Sequence, residues 1–274
     1  MTDPTYALGR SDDEHARLTE QARFLRPLTE RFLKKAGIAP GMTVLDVGSG
    51  VGDVAFLLAE LVGPEGKVVG VDMDGTALEK ARKRAEQLKL RNVEFVHGDI
   101  RTTALSGSFD AAAGRLVLLY CADPVAALAR IAAQVRPNGI VAFLEMEMSD
   151  LGARDAYGDS LLGEVVRTIY RTFATAGVRV HMASELRQTF VKSGLGEPGM
   201  LGEFVVGGGP DFAGYPWLAN TMRSLVPMAR KFGIPLEPLG DLETLVQRLR
   251  TEAVNESRDF WSPPYVGAFA RVAS

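Results

Sequence analysis

Residues 44–55 read VLDVGSGVGDVA. An apolar run carrying one acid, Asp46, gives way to glycines at every second position and then to a second acid, Asp53. The run suits a strand covered on both faces, and the glycines suit a tight turn that lets a ligand come close to the backbone. Outward from this turn the chain alternates. Strand TVLDVG is followed by helix VAFLLAELVG, stopped at Gly63-Pro64, then strand KVVGVD, helix TALEKARKRAEQLKL and strand NVEFVHGD. A strand through FDAAAGRLVLLY, a helix through DPVAALARIAAQV and strand GIVAFLEME continue the series. Such alternation gives an α/β fold, a parallel sheet with helices on both faces, and ligands then bind outside the carboxyl ends of the strands.

Upstream, Ser11 and Glu14 have capping-box spacing and Pro27 calls for a fresh start, so two short helices are expected before the first strand. Downstream come a helix at HMASELRQTFVKSGL and strands at MLGEFVVGG and YVGAFARV, which complete seven strands. Two helical stretches are not needed for the sheet. The expected organisation is therefore an N-terminal helical cap over 1–36, a Rossmann-like core over 37–150, a cap insertion over 151–180, a core continuation over 181–209, a helical cap insertion over 210–257 and a final strand within 258–274.

Composition excludes several classes. With 31 Lys plus Arg against 34 Asp plus Glu, the chain lacks the basic excess of a nucleic-acid binder. One cysteine, Cys121, rules out an internal disulfide framework, and three histidines without ligand spacing argue against a metal. No apolar stretch is long enough to span a bilayer and no signal-peptide pattern opens the chain, so a cytoplasmic protein is expected.

Gly48, Gly50 and Gly52 are spaced GxGxG, and Asp53 stands where the third dinucleotide glycine belongs. A pyrophosphate there would face Asp46 and Asp53 and be repelled, which also counts against a nicotinamide dehydrogenase. S-adenosylmethionine has no phosphate and carries a sulfonium and an ammonium, which an acid at the strand end favours. The alternative role for Asp46 is to cap the turn. Asp72 closes the second strand about 20 residues beyond the turn, where an acid accepts ribose hydroxyls, and Met73 can pack on adenine. Asp99 closes the third strand, placed for the adenine amine, with Ile100 as an apolar wall.

In these four motifs, VLDVGSGVGD, VVGVDMD, VEFVHGDI and FDAAAGRLVLLYCADP, the chain resembles the class I S-adenosylmethionine-dependent methyltransferases. It is most similar to the small-molecule branch of quinone-biosynthesis and natural-product enzymes, over about residues 37–150. The resemblance implies S-adenosylmethionine as cofactor, with Asp46, Gly48 and Gly50 on its methionine side, Asp72 and Met73 at ribose and adenine, and Asp99 with Ile100 at the adenine edge. It assigns Gly114, Arg115 and Leu116 to the methionine portion, partly through backbone carbonyls, and lets Tyr6 fold over the cofactor. It also implies strand order 3-2-1-4-5-7-6 with the seventh strand antiparallel.

The expected reaction is in-line methyl transfer to a small, largely apolar acceptor. An unactivated hydroxyl or carbon acid needs a base, and Glu145 and Glu147, on one strand face by period two, and His181 are the candidates. Helix capping is the alternative for His181. Tyr170 and Trp217 in the cap segments are candidate acceptor-pocket walls, with core packing or a homo-oligomer contact as their other readings. A cyclase-type enzyme on the same fold and a non-catalytic cofactor-binding partner are the competing functions.

Overall fold

The computed structural model describes residues 12–103, 105, 108–148 and 157–274. Helix α1 (Asp12–Ala36) leads into β1 (Thr43–Val47), α2 (Asp53–Val62), β2 (Lys67–Asp72), α3 (Gly75–Gln87), β3 (Val93–His97) and β4 (Phe109–Arg115). After a 3₁₀ turn at Leu118–Tyr120 come α4 (Pro124–Ala132), β5 (Val135–Met146), α5 (Leu161–Thr175), α6 (Met182–Lys192), β6 (Gly199–Glu203) and β7 (Val206–Gly207). The chain ends with α7 (Gly214–Lys231), α8 (Leu245–Asn255), β8 (Phe260–Trp261) and β9 (Tyr265–Arg271).

Seven strands form one sheet in the order β3-β2-β1-β4-β5-β9-β6. The β1–β5 set is parallel, and β9 runs antiparallel to both β5 and β6. This is the order and the single reversed strand that the resemblance implied. Central strands read as nearly unbroken apolar runs because helices cover both faces: in β1, Val44, Leu45 and Val47 are at most 1% exposed. The carboxyl ends of β1, β2, β3 and β4 therefore open on one edge, where the candidate site lies.

Three local expectations are corrected. Pro27 does not divide the N-terminal helix, which runs unbroken through it. A proline in a helix interior removes one backbone bond and crowds the preceding turn. Here the buried stripe Leu25, Leu28, Phe32 and Leu33 outweighs that cost. Phe32 also lies so close to β9 that a Cβ on Gly267 would sit 2.1 Å from its ring, so only glycine fits there. The fourth strand does not run to Tyr120: Leu116 has φ +57°, which ends the strand and turns the chain into the 3₁₀ segment. The stretch 200–208 is likewise not one strand. It leaves the sheet after Glu203, and Val205 exchanges hydrogen bonds with Ser262 that start the small ribbon β7–β8.

Helices α1, α5, α7 and α8 pack on one another, α7 touching each of the other three. Their seam is aromatic. Phe24 stacks on Trp217 at 5.0 Å, and Phe212 and Phe260 meet these rings and Tyr215 edge-on or tilted at 5.4–6.2 Å.

Candidate functional site

The glycine turn is built by positive φ: Gly48 at +67°, Gly50 at +51° and Gly52 at +92°. Two of these glycines are also sterically obligatory, since a Cβ on Gly48 would lie 2.8 Å from Val117 Cγ2 and one on Gly52 2.6 Å from the Phe56 ring. Gly50 differs, because nothing lies within 4 Å of its would-be Cβ. The backbone is open there.

Beneath the turn sits Asp46, 1% exposed, with neither carboxylate oxygen in a well-formed hydrogen bond and the amide of Ala55 close enough to favour its charge. Burial pushes its carboxyl well above the usual range, and the Arg115 guanidinium pulls the other way without bonding to it. The buried Ser49 hydroxyl is also unpartnered. Arg115 is half-buried by area, with its charged end inside: desolvation lowers its pKa, Asp53 and Asp46 support its charge, and Nη1 donates to Thr29 Oγ1 of α1 at 3.1 Å. Gly114, before it, could not carry a Cβ, which would lie 2.5 Å from Phe143.

The second acid, Asp53, points elsewhere. Arg84 of α3 binds its Oδ1 at 2.7 Å, donates to the Val51 carbonyl at 2.7 Å and lies 5.1 Å from the Phe56 ring centroid. Asp53 is thus neutralised by a clamp, and of the two acids reasoned to repel phosphate, Asp46 alone stands unpaired. Nothing in the sequence marks Arg84, 31 positions away, as that partner.

At the end of β2, Asp72 accepts from the amide of Gly50 at 2.8 Å on one oxygen and from that of Asp74 at 2.8 Å on the other. It stitches the second strand to the glycine turn. Met73 beside it is 53% exposed, a thioether open to a flat ligand. Its carbonyl pairs with His97 Nε2 at 3.0 Å, which gives that histidine a local role. Asp99 is already engaged by the Arg101 side chain at 2.6–3.0 Å, and this pair holds its carboxyl below the ordinary value. Ile100 is half-buried next to it.

The three candidate bases separate into two groups. Glu145, 0% exposed, accepts from the amides of Val117 at 3.0 Å, Leu118 at 2.8 Å and Leu119 at 3.4 Å. Burial raises its pKa to about 7 against the pull of those amides. Glu147 lies one residue past the end of β5, and its amide continues the pairing by donating to the Pro264 carbonyl at 2.9 Å. It accepts from Ser184 through both amide, at 2.9 Å, and hydroxyl, and its other oxygen is 3.3 Å from His181 Nδ1. His181 precedes α6 without capping it through its side chain, which is 55% exposed.

Of the acceptor candidates, Trp217 is 5% exposed within the aromatic seam, its indole N–H without a partner, and Tyr170 is half-buried on α5. Tyr6 lies outside the described residues. Among the described residues no cluster of three or more histidine, cysteine, aspartate or glutamate side chains forms a metal site, and no helix is long and apolar enough to cross a membrane.

The sheet order, the glycine turn and the strand-end acids define a class: Rossmann-like folds that hold a cofactor at the edge of β1, β2 and β4. Residues 38–177 match the methyltransferase domain family, and the chain belongs to it. It is 34% identical over 140 residues to the aklanonic acid methyltransferase DauC of Streptomyces sp. (strain C5), covering 51% of this chain and 63% of that protein. It is 33% identical over 116 residues to the demethylmenaquinone methyltransferase of Lactococcus lactis subsp. lactis (strain IL1403), covering 42% and 46%. The chain therefore spans less than two thirds of the length of either relative. Across 90% of this chain and 80% of the other, the fold matches that of the [4+2]-cyclase SpnF with a TM-score of 0.55 at 19% identity, a likeness of fold alone.

S-adenosylmethionine is the cofactor of this family, and the residues present fit it. A buried carboxylate without a side-chain partner beside a buried guanidinium is a costly arrangement unless a ligand brings complementary charges. A methionine zwitterion bearing a sulfonium would bring both signs, and the backbone at Gly50 is open.

Proposed function

We propose that this chain transfers the methyl group of S-adenosylmethionine to a small, largely apolar acceptor by in-line displacement, with His181 as the base. The cofactor supplies an electrophilic methyl group on sulfonium sulfur. Asp46 holds the ammonium end, Arg115 holds the carboxylate, and Asp72 takes the ribose hydroxyls. Met73 and Ile100 flank the adenine, and Asp99, shared with Arg101, accepts from its amine.

The observation that carries this reading is the Glu147–His181 pair. Glu147 is pinned by Ser184 and faces Nδ1 of His181 at 3.3 Å. A neutral imidazole donating Nδ1–H to that carboxylate keeps its Nε2 lone pair free to remove a proton from a hydroxyl or an acidic carbon. The pair belongs to the carboxyl edge. The amide of Met148 bonds the carbonyl of Val180 at 2.8 Å, and the amide of Arg179 bonds the carbonyl of Leu119, in the loop that follows β4, at 3.0 Å. Cap helices supply apolar cover that excludes water and selects the acceptor, with Tyr170 and Trp217 on its walls. The relatives named for aklanonic acid and demethylmenaquinone support an apolar, ring-bearing acceptor with an ionisable oxygen or carbon.

Incubating the protein with S-adenosylmethionine and hydroxylated polyketide or quinol acceptors should yield S-adenosylhomocysteine and a methylated product. His181→Ala should lower kcat by about 10²–10⁴-fold while S-adenosylhomocysteine affinity changes less than about threefold. A His181→Ala variant as fast as wild type would remove the base from the mechanism.

A further inference from the structure

Glu145 is unsuited to be the base, since its oxygens are taken by three backbone amides inside the protein. A buried carboxylate that gathers three amides fixes whatever carries them. What they carry is the loop after β4, whose first residue, Leu116, holds a positive φ that a leucine keeps only where its surroundings over-determine it. The loop has two working faces. On one, Val117 fills the space opposite Gly48, so its place sets the room beside the glycine turn. On the other, the Leu119 carbonyl takes the amide of Arg179, two residues before His181, while the Arg179 side chain binds the carbonyls of Cys121 at 3.1 Å and Ala122 at 2.8 Å.

We infer that Glu145 is a positioning residue, whose grip on Val117, Leu118 and Leu119 fixes one wall shared by the methionine end of the cofactor site and the segment bearing His181. The inference rests on the cofactor placement proposed above. Alignment of donor and acceptor then depends on a carboxylate that touches neither.

Calorimetric binding of S-adenosylhomocysteine to the full chain tests it with three variants. Glu145→Leu removes every amide acceptor and should weaken binding at least tenfold. Glu145→Gln keeps one oxygen for Val117 and Leu118 and should restore affinity to within about threefold of wild type, whereas a purely space-filling role predicts that leucine and glutamine, similar in volume, bind alike. Asp72→Ala is the control for the placement. Wild-type affinity in Glu145→Leu, with Asp72→Ala weakened, overturns the positioning role alone, whereas wild-type affinity in both overturns the placement with it. If Glu145→Leu does not fold, amide hydrogen exchange decides: Val117 and Leu118 should exchange slowly in both the wild type and Glu145→Gln, with Leu119 faster in Glu145→Gln, and fast exchange of Val117 and Leu118 in the wild type overturns the inference.

Discussion

Replacing Asp46 by asparagine should push stability and cofactor affinity in opposite directions. The carboxylate is 1% exposed, no side chain bonds its oxygens, and burial raises its pKa well above the usual range against the weaker pull of Arg115 and the Ala55 amide. An isosteric amide removes the charge and keeps the shape. The amide remains a buried polar group, so only the part of the desolvation cost that belongs to the charge is recovered, and the cofactor-free variant should be at least as stable as wild type. In a chain of this size each kcal/mol corresponds to roughly 2–4 °C in Tm. The cofactor loses a hydrogen bond to a charged group, about 1.5–3 kcal/mol, or roughly 10- to 150-fold in Kd. The pH dependence has a definite sign. A carboxyl whose pKa is raised by folding contributes stability at low pH that is lost as pH rises from the unfolded toward the folded value, so the advantage of the variant should grow with pH. Thermal melts with and without S-adenosylhomocysteine, with calorimetry, read both effects. A variant destabilised by more than about 1 kcal/mol that binds the ligand within twofold of wild type would show that Asp46 serves the turn and not the ligand.

Two further outcomes are expected. Glu145, raised from 4.5 to about 7 by burial, should make the wild type lose stability relative to Glu145→Gln as pH rises from about 4.5 to 7, by up to about 3 kcal/mol, with no further change above that. Denaturant melts of the pair across pH 4.5–8.5 check this, and a constant difference would contradict it. Trp217→Phe and Tyr170→Ala should shift acceptor KM or selectivity while cofactor Kd stays within about threefold, as expected when separate elements hold the two ligands. Lower Tm with unchanged acceptor kinetics would make the aromatic seam packing alone.

The fold was largely legible because its governing pattern is local. Strands buried on both faces show as apolar runs, and glycine turns and breakers punctuate them, so β1 to β5 stand close to where the alternation puts them. The position of the reversed strand came from the resemblance, since periodicity carries no strand order. What stayed illegible depends on distant partners. Pro27 looks like a break until the stripe from Leu25 to Leu33 is seen buried, and the end of β4 hangs on a single positive φ at Leu116. The strand-end acids were found by position, but their states were not: Arg84 takes Asp53, Arg101 takes Asp99, and Asp46 is left alone. Glu145 and Glu147 look equivalent along the chain. One closes a loop and the other aims a histidine, because the elements they meet are separated from them by tens of residues.

The most direct test is to follow both halves of the reaction in one vessel, measuring S-adenosylhomocysteine and acceptor product by mass spectrometry during multiple turnovers with a phenolic or quinol acceptor. One S-adenosylhomocysteine should form for each product molecule heavier by a single methyl group, with both falling together in His181→Ala. Conversion of the acceptor without consumption of S-adenosylmethionine, as a cyclase-type enzyme would give, would contradict it.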